Sequence, residues 1–263
     1  MTEQTEGLRD TAARDFSYVA ENYRTVTSHL HEALRLVGRD EGDTLLMAAI
    51  KSADVEEIRY LVETLGVRDI GENRVQQLLE HYEKLEDKQN LRIHFIGSLQ
   101  KNKVKYIVDK VCMIHSLDSL SLAEEIEKRC RAIGRVMDVL VEINSGAEAS
   151  KGGLLPHQVE DFCQKLGQFP HLRLRGFMTM APKCENSDEY RKYFKETYRQ
   201  CLDIWQKKLD NIYSAESMPC NDHPVLSMGM SGSFEAAIAE GATIVRIGGA
   251  LFRDTAPPAA ANQ

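Results

Sequence analysis

Apolar runs of three to eight residues recur along this chain, and the stretches between them carry apolar positions every three or four residues. The runs at 43–50, 67–70, 92–96, 111–115, 136–143, 172–177, 224–226 and 243–246 predict strands, because a strand buried on both faces reads as a near-continuous apolar segment. The patterns at 54–66, 72–85, 120–132, 157–166, 188–209 and 234–239 predict helices, and a polar, amphipathic stretch at 15–37 predicts one more ahead of the first strand. Asp54 with Glu57 three places on has the spacing of a capping box. Eight strands alternating with helical segments predict an α/β fold, a single (β/α)8 TIM barrel, with an open doubly wound sheet as the alternative. No Pro/Gly/Ser linker divides the chain. The expected organisation is an N-terminal helical segment at 1–42 packed on the barrel, the barrel itself at 43–254, and a frayed tail at 255–263.

Composition narrows the partners. A formal charge of -7 at pH 7 argues against a surface that neutralises nucleic-acid phosphates, while leaving room for a local basic pocket and a small anionic ligand. The first residues are acidic and polar, and no stretch approaches the length of a membrane span, so a cytoplasmic protein without membrane contact is expected. Cys112, Cys130, Cys163, Cys184, Cys201 and Cys220 form no Cys-x-x-Cys pair and read as reduced thiols. His29 and His31 do not share a helix face, and the other six histidines are scattered, so no metal site is expected.

Functional groups of such a barrel gather where strands end. Lys51 follows the first apolar run, where desolvation would lower its pKa and free an amine for attack on an aldehyde; the alternative is a strand-end lysine reaching out to water. Ser227 to Gly232 and Gly248-Gly249 place small residues and backbone N–H groups at the ends of the seventh and eighth strands, where barrels commonly bind phosphate. Ser231 would add a hydroxyl. Arg246 stands beside that cradle, able to contact the phosphate or a ring nitrogen, or to form a structural ion pair with a barrel carboxylate. Asn73 follows the second strand and Lys151 the fifth.

Eight segments carry a resemblance to a known family. They are Ala48-Ala49-Ile50-Lys51, Ile70-Gly71-Glu72-Asn73-Arg74-Val75-Gln76, the run from His94 to Lys103, Ser116-Leu117-Asp118-Ser119, Ser150-Lys151-Gly152-Gly153-Leu154, the run from Gly176 to Pro182, the run from Leu226 to Ser231, and Val245-Arg246-Ile247-Gly248. In this order they resemble the pyridoxal phosphate homeostasis proteins, whose barrel is related to the N-terminal domain of alanine racemase, the fold type III of pyridoxal enzymes. The resemblance implies pyridoxal 5′-phosphate (PLP) held as a Schiff base on Lys51. It also implies a phosphate bound by Ser231 and the backbone of Gly248 and Gly249, with Arg246 facing the pyridine nitrogen. Asn73 and Met228 are then expected near the ring, and Lys151 matches a second lysine that takes part in handling the cofactor. Three positions depart from the family pattern: Ser52-Ala53-Asp54 after the lysine, Gly249 where a threonine is common, and Arg253 where a glycine often follows.

An arginine at the ring nitrogen keeps the ring unprotonated and supports carbanion chemistry weakly. The chain reads as barrel throughout, without the β-domain that helps supply alanine racemase with its second base. Storage or delivery of PLP, in exchange with PLP-dependent apoenzymes and by a monomer or weak homodimer, is therefore expected in preference to turnover. The alternatives are a PLP-dependent amino-acid racemase using Lys51 with a group such as Lys151, and a Schiff-base lyase acting on a sugar phosphate.

Overall fold

Each apolar run becomes a strand of one closed parallel barrel in the computed structural model, which describes residues 14–86, 88–148, 151–209 and 223–254. The strands are β1 (Leu45–Ala49), β2 (Asp69–Glu72), β3 (Arg92–Phe95), β4 (Met113–Leu117), β5 (Met137–Ile143), β6 (Leu172–Thr179), β7 (Val225–Met230) and β8 (Ile244–Ile247). They pair in chain order, and β8 returns to β1 with Leu45 beside Ile244 and Met47 beside Arg246. The expected tail at 255–263 lies outside the described residues, as does Cys220. No disulfide joins the five described cysteines.

Alternate strand residues face opposite sides. Val139, Val141 and Ile143 of β5 join the main core between strands and helices, whereas Met47, Ala49, Ile96 and Ile244 form a small separate cluster within the barrel. The helices covering the strands are α1 (Ser17–Leu36), α2 (Val55–Arg59), α3 (Val75–Lys84), α4 (Leu120–Ala132), α5 (Val159–Leu166), α6 (Ser187–Leu209), α7 (Phe234–Ala239) and α8 (Gly249–Phe252). The Asp54–Glu57 capping box is present, with Glu57 N donating to Asp54 Oδ1 at 2.9 Å and Asp54 N to Glu57 Oε2 at 2.7 Å. The predicted helix over 54–66 is not uniform: α2 passes into a π turn at Tyr60–Thr64, where Leu65 N reaches back to Tyr60 O.

Several strands outrun their apolar segments. β2 takes in Gly71 and Glu72, β6 reaches Thr179, and β7 continues through Ser227, Met228 and Gly229 to Met230, positions expected in a loop. The barrel ladder is made by backbone groups hydrogen-bonded on both sides, so a polar side chain that ends an apolar run does not end the strand. α1 buries Val19, Val26, Leu30, Ala33 and Leu34 and packs on α7 and α8. Asn22 Nδ2 donates to Leu251 O at 3.1 Å and Arg253 O at 3.0 Å, tying α1 to the end of α8. Among the described residues no helix is long and apolar enough to cross a membrane, and no group of three or more His, Cys, Asp or Glu side chains could hold a metal ion.

Candidate functional site

The β7–β8 side of the barrel mouth is anchored by a buried arginine. Arg246, the third residue of β8, is only 5% exposed. Its Nη1 donates to Ser227 O at 2.6 Å and to Ser227 Oγ at 2.9 Å, and its Nη2 donates to Thr179 O at 2.9 Å. Three of the five guanidinium N–H donors are thus taken up by the barrel wall. Burial pulls the Arg246 pKa from 12.5 down to about 10, against the attraction of Glu142, so the group keeps its charge at neutral pH.

Two residues on, the chain leaves β8 at Gly248, where a Cβ would stand 2.7 Å from Ala49 O; the absence of a side chain lets the ends of β8 and β1 close together. Ser231 Oγ accepts from Ala250 N at 3.2 Å, which joins the turn after β7 to the first turn of α8. Ser231, Gly248 and Gly249 are therefore brought to one place. A Cβ on Gly249 would meet open space, so the departure from threonine there leaves room and no clash. A cavity of about 360 Å³ opens beside this junction, lined by Ser231, Gly232, Ser233, Asn186, Ser187 and Tyr190 among others.

The strand ends that carry the two lysines, after the neighbouring β1 and after β5, are looser. Lys51 sits in a turn one residue past the fully buried Ile50 and is itself exposed, so the desolvation expected for it is absent; the strand ends before the lysine and turns it out to solvent. Gln77 Nε2 donates to Lys51 O at 3.0 Å, which fixes the backbone and leaves the amine without a side-chain partner among the described residues. Lys151 is likewise exposed, in a loop organised by Asn144, whose Nδ2 donates to Glu148 O at 2.8 Å and Lys151 O at 3.3 Å.

Asn73 lies between these sides in character. A Cβ on Gly97 would overlap the Asn73 carbonyl, so the second residue past β3 must lack a side chain for the two loops to meet. Asn73 Oδ1 is buried without a hydrogen-bond partner among the described residues, a condition that costs about 1–3 kcal/mol unless a ligand supplies the donor. Met228 departs from the mouth. It is 1% exposed and belongs to the main core with Leu226 and Phe234, while its neighbour Ser227 takes the inward position. The arrangement offers a fixed cation, a hydroxyl with backbone donors, an orphaned acceptor and a free amine, a set suited to a small phosphorylated carbonyl compound.

The sequence matches the profile described as alanine racemase, N-terminal domain, over residues 15–256. The chain belongs to that family. Within it, the chain is 41% identical over 232 residues to the pyridoxal phosphate homeostasis protein of Aquifex aeolicus, covering 88% of this chain and 96% of that one. The structure of PipY from Synechococcus elongatus with PLP bound superposes with a TM-score of 0.73 at 28% identity, covering 89% of this chain and all of that one (100%). Alanine racemase from Clostridium difficile shares the fold, with a TM-score of 0.65 at 20% identity over 90% of this chain and 58% of that one.

Two features of this alanine racemase-like barrel escaped the sequence reading. Glu142 on β5 is 5% exposed, and burial, followed by repulsion from Asp118, raises its pKa from 4.5 to about 7 in spite of Arg246. His94 and His115 are buried in the barrel interior, where they bond to each other at 2.9 Å. Their signal in the sequence was a polar residue inside an apolar strand run, at Ile93-His94-Phe95, Ile114-His115 and Val141-Glu142-Ile143.

Proposed function

We propose that this protein binds PLP at the C-terminal mouth of its barrel and serves the homeostasis of that cofactor, carrying it without strong turnover. The observation that carries the reading is the Ser231–Ala250 bond, which gathers Ser231, Gly248 and Gly249 into one cradle two residues from the buried Arg246. The name shared by the curated relatives and the PLP-bound state of PipY support the same ligand.

In this reading Lys51 would hold PLP reversibly through its aldehyde as a Schiff base, the condensation releasing one water. Ser231 and the backbone N–H groups of Gly248 and Gly249 receive the phosphate, Arg246 faces the ring nitrogen, and Asn73 Oδ1 accepts from the hydroxyl side of the ring. Met228 backs the strand behind the ring, and Lys151 takes part in loading or release. Bound PLP supplies an electrophilic aldehyde and an electron-withdrawing ring. A guanidinium only donates, so the ring nitrogen must accept and stay unprotonated, and carbanion formation is poorly supported; carriage suits the site better. PLP-dependent apoenzymes in the cytoplasm are the recipients this reading calls for, with the chain acting as a monomer or weak homodimer.

The test is the near-ultraviolet and visible spectrum before and after adding PLP, beside Lys51→Ala. A yellow band that borohydride abolishes in the wild type and that the variant lacks is the expected result, with no turnover of amino acids. Absence of any band sinks the reading, and racemisation at enzymatic rates replaces carriage with catalysis.

A further inference from the structure

The middle of this barrel is polar where such a core is ordinarily filled by branched apolar side chains. The rings of His94 on β3 and His115 on β4 meet edge to face, with His94 Nδ1 2.9 Å from His115 Nε2. His94 Nε2 lies 3.1 Å from Asp69 Oδ1 on β2, and Asp69 also receives Arg92 Nε at 2.6 Å. On the other side, His115 Nδ1 lies 3.0 Å from Ser227 Oγ, the hydroxyl that accepts from Arg246 at 2.9 Å. An unbroken series of hydrogen bonds therefore crosses from the N-terminal end of β2 to the guanidinium below the mouth. Asp69, His94, His115 and Ser227 are each 4% exposed or less. Replacing such a buried polar set with well-packed apolar residues is often neutral or stabilising, so stability alone is a poor reason for its presence.

The donors fix the direction of the series. Burial opposes ionisation of Asp69, but the bonds from His94 and Arg92 outweigh it and hold the carboxyl below its usual pKa. A carboxylate only accepts, so His94 Nε2 carries a hydrogen. Burial, then His94 and Arg246, push His115 well below 6.5, and a neutral imidazole has one donor and one acceptor. Arg246 only donates, so Ser227 Oγ must accept from it. A hydrogen on His94 Nδ1 would reverse His115, so that His115 and Arg246 both donate to Ser227 Oγ and the buried hydroxyl hydrogen is left without an acceptor among the described residues. The consistent arrangement has His115 Nε2 donating to His94, the Ser227 hydroxyl donating to His115 Nδ1, and the Ser227 lone pair left for Arg246.

We propose that Asp69, His94, His115 and Ser227 form a polarised chain that positions Arg246. The carboxylate sets the tautomers of both imidazoles, these orient the Ser227 hydroxyl, and the hydroxyl holds the guanidinium in one orientation for the ligand at the mouth. The four are positioning residues, acting through Arg246. The inference rests on the PLP reading for the identity of that ligand and stands apart from it for the chain itself.

Two measurements test it. In the ligand-free protein labelled with nitrogen-15 in histidine and arginine, NMR should show hydrogen on Nε2 and none on Nδ1 of both rings, and resolved Nη hydrogens for Arg246. Ser227→Ala and His115→Gln should average those Nη signals, while Ser227→Thr, which keeps the hydroxyl, should retain them. Hydrogen on Nδ1 of either ring, or Nη signals unchanged in both variants, overturns the chain. With nitrogen-15 PLP loaded, the ring-nitrogen resonance should move in Ser227→Ala and His115→Gln while the Lys51 band persists. An unmoved resonance in both overturns the positioning role. Failure of the wild type to take up PLP sinks the functional reading alone, and the ligand-free spectra still decide the chain.

Discussion

The strand ends at the barrel mouth differ in how firmly they are held. On the β7–β8 side Arg246 is buried with three bonds to the wall, Ser231 is tied to Ala250, and Gly248 stands against Ala49. At the ends of β1 and β5 the two lysines, Lys51 and Lys151, are exposed with only their backbones fixed. A rigid half orients a ligand at little entropic cost on binding, and a free half can form and break a bond without disturbing the fold. That division suits a site that must load and unload.

The largest effect should come from the rigid side. Arg246→Leu removes the partner of Ser227 O and Thr179 O and leaves Glu142 without its nearby cation, so chemical denaturation should register a loss of about 3–5 kcal/mol. A loss below about 1 kcal/mol would mean the wall does not depend on the guanidinium. A smaller, pH-dependent effect belongs to Glu142. Its pKa is raised from 4.5 to about 7 in the fold, so the native state binds the extra proton and stability is full below 4.5. It should decline as pH rises from 4.5 to about 7, by up to about 3 kcal/mol, and Glu142→Gln should remove that decline. Parallel curves for the two proteins would show that the carboxyl titrates normally. The smallest change is expected on the free side: Lys51→Ala should leave stability within about 0.5 kcal/mol while abolishing covalent PLP uptake. A clear destabilisation would erase the contrast between the two halves.

The architecture was legible because a parallel barrel buries each strand on both faces, and eight apolar runs announced eight strands. The strand ends were less so. Ser227 and Met228 read as loop because polarity and glycine interrupt the apolar pattern, yet the backbone ladder carries β7 through both. The capping box at Asp54 and Glu57 is local and was visible, whereas the π turn at Tyr60–Thr64 has no sequence signature of comparable strength. The positions of Lys51, Ser231 and Arg246 at or near strand ends were legible, but their environments were not, since exposure depends on where the turn begins. The His94–His115–Ser227 series was invisible for a simpler reason. Its members lie 21 and 112 positions apart, and only closure of the barrel brings them within bonding distance.

The Asn22 bond to Leu251 spans 229 residues, and β1 likewise waits for β8. On a ribosome adding roughly 5–20 residues per second, α1 would emerge roughly 10–50 s before the helix that receives it. Through that interval the first strand has an open edge and the cradle at Gly248 does not exist. At the proposed site, cofactor capture would thus have to wait for β8, and a nascent barrel released early would present its unpaired β1 edge to whatever strand it met first.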